Sequence, residues 1–194
     1  MDEALSTVGS VFEPDELAFL ASTSKAELPI RDRLAWTLQQ ALGEAFTVSR
    51  EWRRADLVVL AGDEVCAQVE AKALYAFDVL RPTNRQSYLD RLVADSAKMA
   101  ALAASDRYLL SIITDVRGDM PTELNSHVVK YSAGIAAAIK AGGDSVRSVA
   151  RERWLEGLTD TFGCDTAEVQ INAGSVWGLD VSVDLFLTGP LRPV

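Results

Sequence analysis

Apolar residues recur every four positions from Glu27 to Leu42, at Ile30, Leu34, Leu38 and Leu42. That spacing predicts a helix, and Gly43 is placed to end it. A shorter helix opens at Pro14 and runs through Ala21. Beyond Phe46 the period drops to two. Phe46–Trp52, Asp56–Leu60 and Val65–Ala73 read as strands, and Ala61–Glu64 supplies the turn between the last two. Helical spacing returns over about Gln86–Ala104. Arg107–Thr114 is a near-continuous apolar run of strand length, as expected in a sheet covered on both sides. Two helices follow, about Thr122–Ala141 and Ser145–Phe162, with Asp144 as N-cap of the second. The tail supplies one or two closing strands, Ala167–Ile171 and Val176–Leu187. There Asp180, Ser182 and Asp184 alternate with Val181, Val183 and Leu185, which predicts a half-exposed strand. A hairpin followed by a helix and a further strand implies a mixed sheet with helices on both faces. The expected fold class is α/β (α+β), in a single domain over 1–194.

Composition narrows the function classes. The net charge is -9, which argues against coating nucleic acid by bulk charge and against an anionic membrane surface. It leaves room for a small basic groove. Cys66 and Cys164 fit no zinc spacing and no disulfide framework, so a reducing cytoplasm is the expected compartment. The amino terminus lacks a signal-peptide pattern, and no run reaches the length of a membrane span. His127 is the only histidine and has no metal-motif context, and neither a GxGxxG nor a GxxxxGK[ST] loop occurs.

The candidate chemistry lies on the hairpin. Glu70 and Lys72 differ by two positions and leave the same face of one strand. Asp56, fourteen positions before Glu70, opens the neighbouring strand. A three-residue loop, Gly62-Asp63-Glu64, pairs Asp56 with Glu70 and brings the two carboxylates together; an even loop separates them. Adjacent carboxylates repel unless a cation lies between them, and oxygen ligands suit Mg²⁺ or Mn²⁺. An ion on Asp56, Glu70 and the Ala71 carbonyl would polarise a phosphoryl oxygen, with Lys72 beside the attacking water. Relief of that repulsion predicts that Asp56→Asn stabilises the metal-free protein.

Asp56 and the Glu70-Ala71-Lys72 triplet, with a helix before the hairpin and a helix and strand after it, resemble the PD-(D/E)XK nuclease superfamily. The resemblance covers about Glu27 to Thr114 and departs at Ala55, where proline is common. It implies a restriction-endonuclease-like fold with an α-β-β-β-α-β core. It assigns Asp56 and Glu70 as metal carboxylates and Lys72 as the catalytic lysine. Glu27, on the helical stripe of Leu34 and Leu38, is the candidate for a further metal acid, whereas Asp32 points away and Glu44 lies beyond Gly43. Asp95 and Lys98, at i, i+3, read first as a helix-surface pair, and they also resemble an acid and a lysine facing the cleft.

Other positions carry two readings each. Gln68 contacts substrate or fills space. Arg54, on the presumed strand face of Asp56, binds phosphate or pairs with Glu51 or Glu44, and Arg53 shares that choice. Arg81, Arg85 and Arg91 track a nucleic-acid backbone or form a solvated face. Arg147, Arg151 and Arg153 read as a solvated helix face, and Cys66 as a small buried thiol. The expected function is metal-dependent phosphodiester hydrolysis, on DNA first, then RNA or a small nucleotide. The competitors are an inactive nuclease-like binding module, with a partner protein or a second copy supplying basic surface, and a plain interaction protein with solvated hairpin charges.

Overall fold

The computed structural model describes residues 1–100, 104, 106–121, 128–142 and 145–191. His127, Asp144 and the start of the helix predicted from Thr122 lie outside them, as do 101–103; the helix predicted to end at Ala104 does not reach it, because Ala104 is not helical. Three helices open the chain: α1 (Asp2–Thr7), α2 (Glu16–Thr23) and α3 (Glu27–Leu42). An antiparallel meander follows, β1 (Thr47–Trp52), β2 (Ala55–Ala61) and β3 (Glu64–Tyr75). Helices α4 (Ala76–Leu80) and α5 (Pro82–Met99) cross over to β4 (Asp106–Gly118), which lies parallel to β3. Helices α6 (Ser132–Gly142) and α7 (Ser145–Phe162) lead to a closing hairpin, β5 (Thr166–Val176) and β6 (Leu179–Thr188). The six strands form one mixed sheet in the order β1-β2-β3-β4-β6-β5.

Two apolar layers hold the helices to the sheet. On one face Leu5, Leu17, Ile30, Leu34 and Leu38 of α1–α3 pack on Leu57, Val69, Leu110 and Ile112. On the other, Val79, Leu92, Trp154 and Leu158 of α4, α5 and α7 pack on Leu74, Leu109, Ile113 and Phe186. Burying such side chains stabilises by about 1.5–3 kcal/mol each, so the sheet is an inner layer and its central strands lack a wet face. None of the described helices is long and apolar enough to cross a membrane.

Three expectations need correction. The β2–β3 loop has two residues, not three: Ala61 pairs with Glu64 across Gly62-Asp63, and Gly62 takes φ 60° at the first turn position. Strand β6 is not half-exposed, because it lies between β4 and β5 with α7 across it, and Asp184 is 1% exposed. Of the arginine face of α7 only Arg153 is exposed as expected; Arg147 and Arg151 are partly buried and paired. Arg147 grips Asp184 through two nitrogens at 2.9 and 2.6 Å, and Arg151 bonds Glu168 at 3.0 Å.

Candidate active site

A two-residue turn alone would place Asp56 opposite Val69, with its side chain on the other face from Glu70. A β-bulge reverses this. Leu60 pairs with Val65 but Val59 pairs with Ala67, so Cys66 is the extra residue. The ladder then runs to Leu57 opposite Val69, and one step on Asp56 meets Glu70. The predicted pairing is therefore present, produced by a bulge instead of a longer loop. Cys66 sits in that bulge half-buried, not in the core as a small-thiol reading expects.

Strand β2 begins at Ala55, whereas β3 continues to Tyr75, so β3 has a free edge beyond Glu70. Side chains take the place of the missing strand. Asp56 Oδ2 accepts the Ala71 N–H at 2.8 Å, and Glu27 Oε2 accepts the Ala73 N–H at 2.9 Å. Lys25 Nζ donates to the Ala73 carbonyl at 2.9 Å. In a strand the N–H and C=O of one residue point the same way, so the Ala71 carbonyl faces this edge beside Asp56.

Helix α3 reaches Glu27, as the metal-acid expectation requires, and one of its oxygens, Oε2, accepts the Ala73 N–H. Among the described residues no three acidic, histidine or cysteine side chains gather around one point. The groups that could meet a cation here are the carboxylates of Asp56 and Glu70 and the Ala71 carbonyl, with the second oxygen of Glu27.

Arg31 is the residue that sequence reasoning missed. It is 6% exposed and bridges Asp56 Oδ1 at 3.3 Å and Glu51 Oε1 at 3.1 Å. Burial works against its charge, and the bonds to Glu51 and Asp56 more than restore it. The signal was its place on the Glu27–Ile30–Leu34 stripe of α3, where a charge implies a buried partner. Glu51 reaches it from a left-handed backbone position, φ 56°, beside a turn in which Arg53 and Arg54 are also left-handed. Arg54 therefore sits in an exposed turn, not on the strand face of Asp56, and Arg53 covers Trp52. Asp32 points away as expected and pairs with Arg50 at 2.7 Å.

Among the described residues Glu70 has no such cation. Burial and the neighbouring Asp56 charge push its carboxyl from 4.5 up to about 7. Gln68, 2% exposed, approaches Glu70 Oε1 with its amide nitrogen at 3.5 Å, while its Oε1 has no partner. Lys72 is fixed from above by α5: its Nζ lies 3.1 Å from Asp95 Oδ2, and Lys98 Nζ lies 2.7 Å from Asp95 Oδ1. Asp95 is thus not part of an exposed helix pair, since its side chain is 9% exposed. Burial pushes its carboxyl up, and the hydrogen bonds from Lys98 and Lys72 reverse this to leave it low. Arg85 lies ten residues before Asp95, about 15 Å along α5 and off that flank of the helix, so it is not brought to the site. Arg91, four residues before Asp95, lies over the Tyr88 ring.

The pattern sets the signs of two charge removals. A raised folded-state carboxyl binds protons that the unfolded chain releases, so stability falls as pH rises from about 4.5 to about 7 and is level above. In metal-free buffer Glu70→Gln is expected to leave Tm unchanged at pH 4. At pH 8 it should raise stability by about 1–2 kcal/mol, discounted for partial exposure. Asp56→Asn should act oppositely to the repulsion argument and destabilise, because it strips Arg31 of a partner. Thermal melts of both variants across pH check this. A Glu70→Gln effect that is flat with pH would rule the explanation out.

Comparison with protein-family models, characterised proteins and solved structures finds no match to this chain.

Proposed function

We infer that the chain is a metal-dependent phosphodiesterase of the PD-(D/E)XK, restriction-endonuclease-like class, acting on nucleic acid and on DNA first. The observation that carries this reading is that Asp56, one step beyond the Leu57–Val69 pair, lies beside Glu70, with Lys72 on the same face and held by Asp95. The order helix, three antiparallel strands, helices, parallel strand suits the same class. Glu70 lies beside the Asp56 carboxylate, whose cation Arg31 it does not share, and a divalent cation between the two acids would remove the remaining repulsion. Asp56, Glu70 and the Ala71 carbonyl would hold Mg²⁺ or Mn²⁺, which supplies Lewis-acid polarisation of the phosphoryl group and an acidified water.

The side chains of the chain divide the remaining work. Lys72 hydrogen-bonds the attacking water or a phosphoryl oxygen and offsets the charge that grows on the phosphate. Asp95 is a positioning residue, since it fixes the ammonium group in one place at little further entropy cost. Lys98, on the other oxygen of Asp95 and largely exposed, is free to meet a flanking phosphate. Gln68 steadies the Glu70 carboxylate.

A second reading has its own support. Arg31 already neutralises Asp56, and the chain is acidic, so a nuclease-like binding module working with a partner protein or a second copy suits both facts. Incubation with DNA, RNA and cyclic nucleotides in Mg²⁺ or Mn²⁺, with an EDTA control, separates the two. Metal-dependent products that vanish in EDTA are expected. Metal binding by calorimetry without any product would favour the binding module, and neither would remove the nuclease reading.

A further inference from the structure

Two elements flank the site, and they meet at one end. The floor of the site is the free edge of β3. One wall is the link from α2 into α3, carrying Lys25 and Glu27. The other is one flank of α5, where Tyr88, Arg91, Asp95 and Lys98 recur at helical spacing. Because β4 is parallel to β3, α5 runs back along β3, and its Tyr88 end lies toward Tyr75. There the two walls touch. Lys25 Nζ, held on the Ala73 carbonyl, reaches the Tyr88 hydroxyl at 3.2 Å. Tyr88 precedes Asp95 by seven residues, about 10 Å of helix. A strand lying past Lys72 therefore meets a barrier within a few nucleotides, at about 3.4 Å per stacked nucleotide.

The barrier is cationic. Arg91 places its guanidinium 5.2 Å from the centre of the Tyr88 ring, and Lys25 sits at the hydroxyl end. Among the described residues neither cation has a carboxylate partner, in a chain whose net charge is -9. Tyr88 accepts from Lys25, so its own hydroxyl proton remains available. Two cations and one hydroxyl donor suit a phosphate monoester, which carries about −1.5 to −2 charge at neutral pH, better than an internal diester with its single charge.

We propose that Lys25, Tyr88 and Arg91 form an end-binding subsite that seats the terminal phosphate of a nucleic-acid strand, so that cleavage proceeds from strand ends. The inference rests on the nuclease reading above for its cleavage step, but the binding it describes does not need it. The test uses single-stranded DNA with a 5′-phosphate, a 3′-phosphate or hydroxyl ends, and a covalently closed circle, all in Mg²⁺. Binding to the same oligonucleotides, labelled internally, is followed by fluorescence anisotropy in EDTA. One type of phosphorylated end should be cut, and bound, about ten-fold better than hydroxyl ends, and the circle should stay intact. Arg91→Ala, an exposed position, should bring the ratio of phosphate to hydroxyl ends close to one. Tyr88→Phe should lower the ratio part of the way. A circle cut as fast as the linear strand, or end chemistry that makes no difference in either assay, would overturn the proposal and leave the nuclease reading standing. An end preference in binding with no cleavage of any substrate would do the reverse.

Discussion

Lys72→Ala is expected to lower metal-dependent cleavage by about 10²–10³-fold, the usual loss when one fixed donor is taken from a developing negative charge. The fold should survive. Lys72 is partly exposed, and Asp95 keeps Lys98 at 2.7 Å once Lys72 is gone. The loss of one partner should cost no more than about 1 kcal/mol, a Tm change of about 2–4 °C. Asp95→Asn is the companion variant. It keeps the ammonium group but loosens it, so about a ten-fold fall in kcat is expected with KM little changed. The check is single-turnover cleavage with circular dichroism on the same preparations. Wild-type rates in well-folded Lys72→Ala would show that the products arise elsewhere.

Asp184→Ala should be the most destabilising single change in the chain. Asp184 is 1% exposed, takes two bonds from Arg147 and lies 3.7 Å from Arg151. Its removal leaves Arg147 without its counter-charge, while Arg151 keeps Glu168, a defect of about 3–5 kcal/mol in buried pairs. For a chain of this length that is a fall in Tm of about 10 °C. Replacing both members of the pair, with Asp184→Leu and Arg147→Met, should recover much of the loss, because the unpaired charge is the costly part. A melt of the double variant no better than Asp184→Ala would assign the defect to packing instead.

These two residues also mark where the sequence could and could not be read. Lys72 was legible because strand alternation is a local rule, and Glu70 and Lys72 lie two apart on one strand. Helix α3 was legible from its apolar stripe and its terminal Gly43, and α7 likewise from Ser145 to Phe162. Asp184 was not, since alternating polar and apolar residues describe a solvated strand as well as a buried one whose acid meets an arginine 37 residues away. Arg31 was hidden in the same way, as was the Lys25–Tyr88 bridge, which spans 63 positions. Helix α1 is too short to show a period. Long-range charge pairing has no spacing rule, so a buried charge announces that a partner exists without naming it.

The bulge at Cys66 bears on how other chains of this kind would be found. A hairpin one residue shorter, without the bulge, would bring the same two acids face to face, as would one that moves the extra residue into its turn. The interval of fourteen positions from Asp56 to Glu70 is thus incidental, and a search keyed to that number would pass over chains whose chemistry is identical. What such a search should hold constant is the parity of the cross-strand ladder, counted outward from the acids.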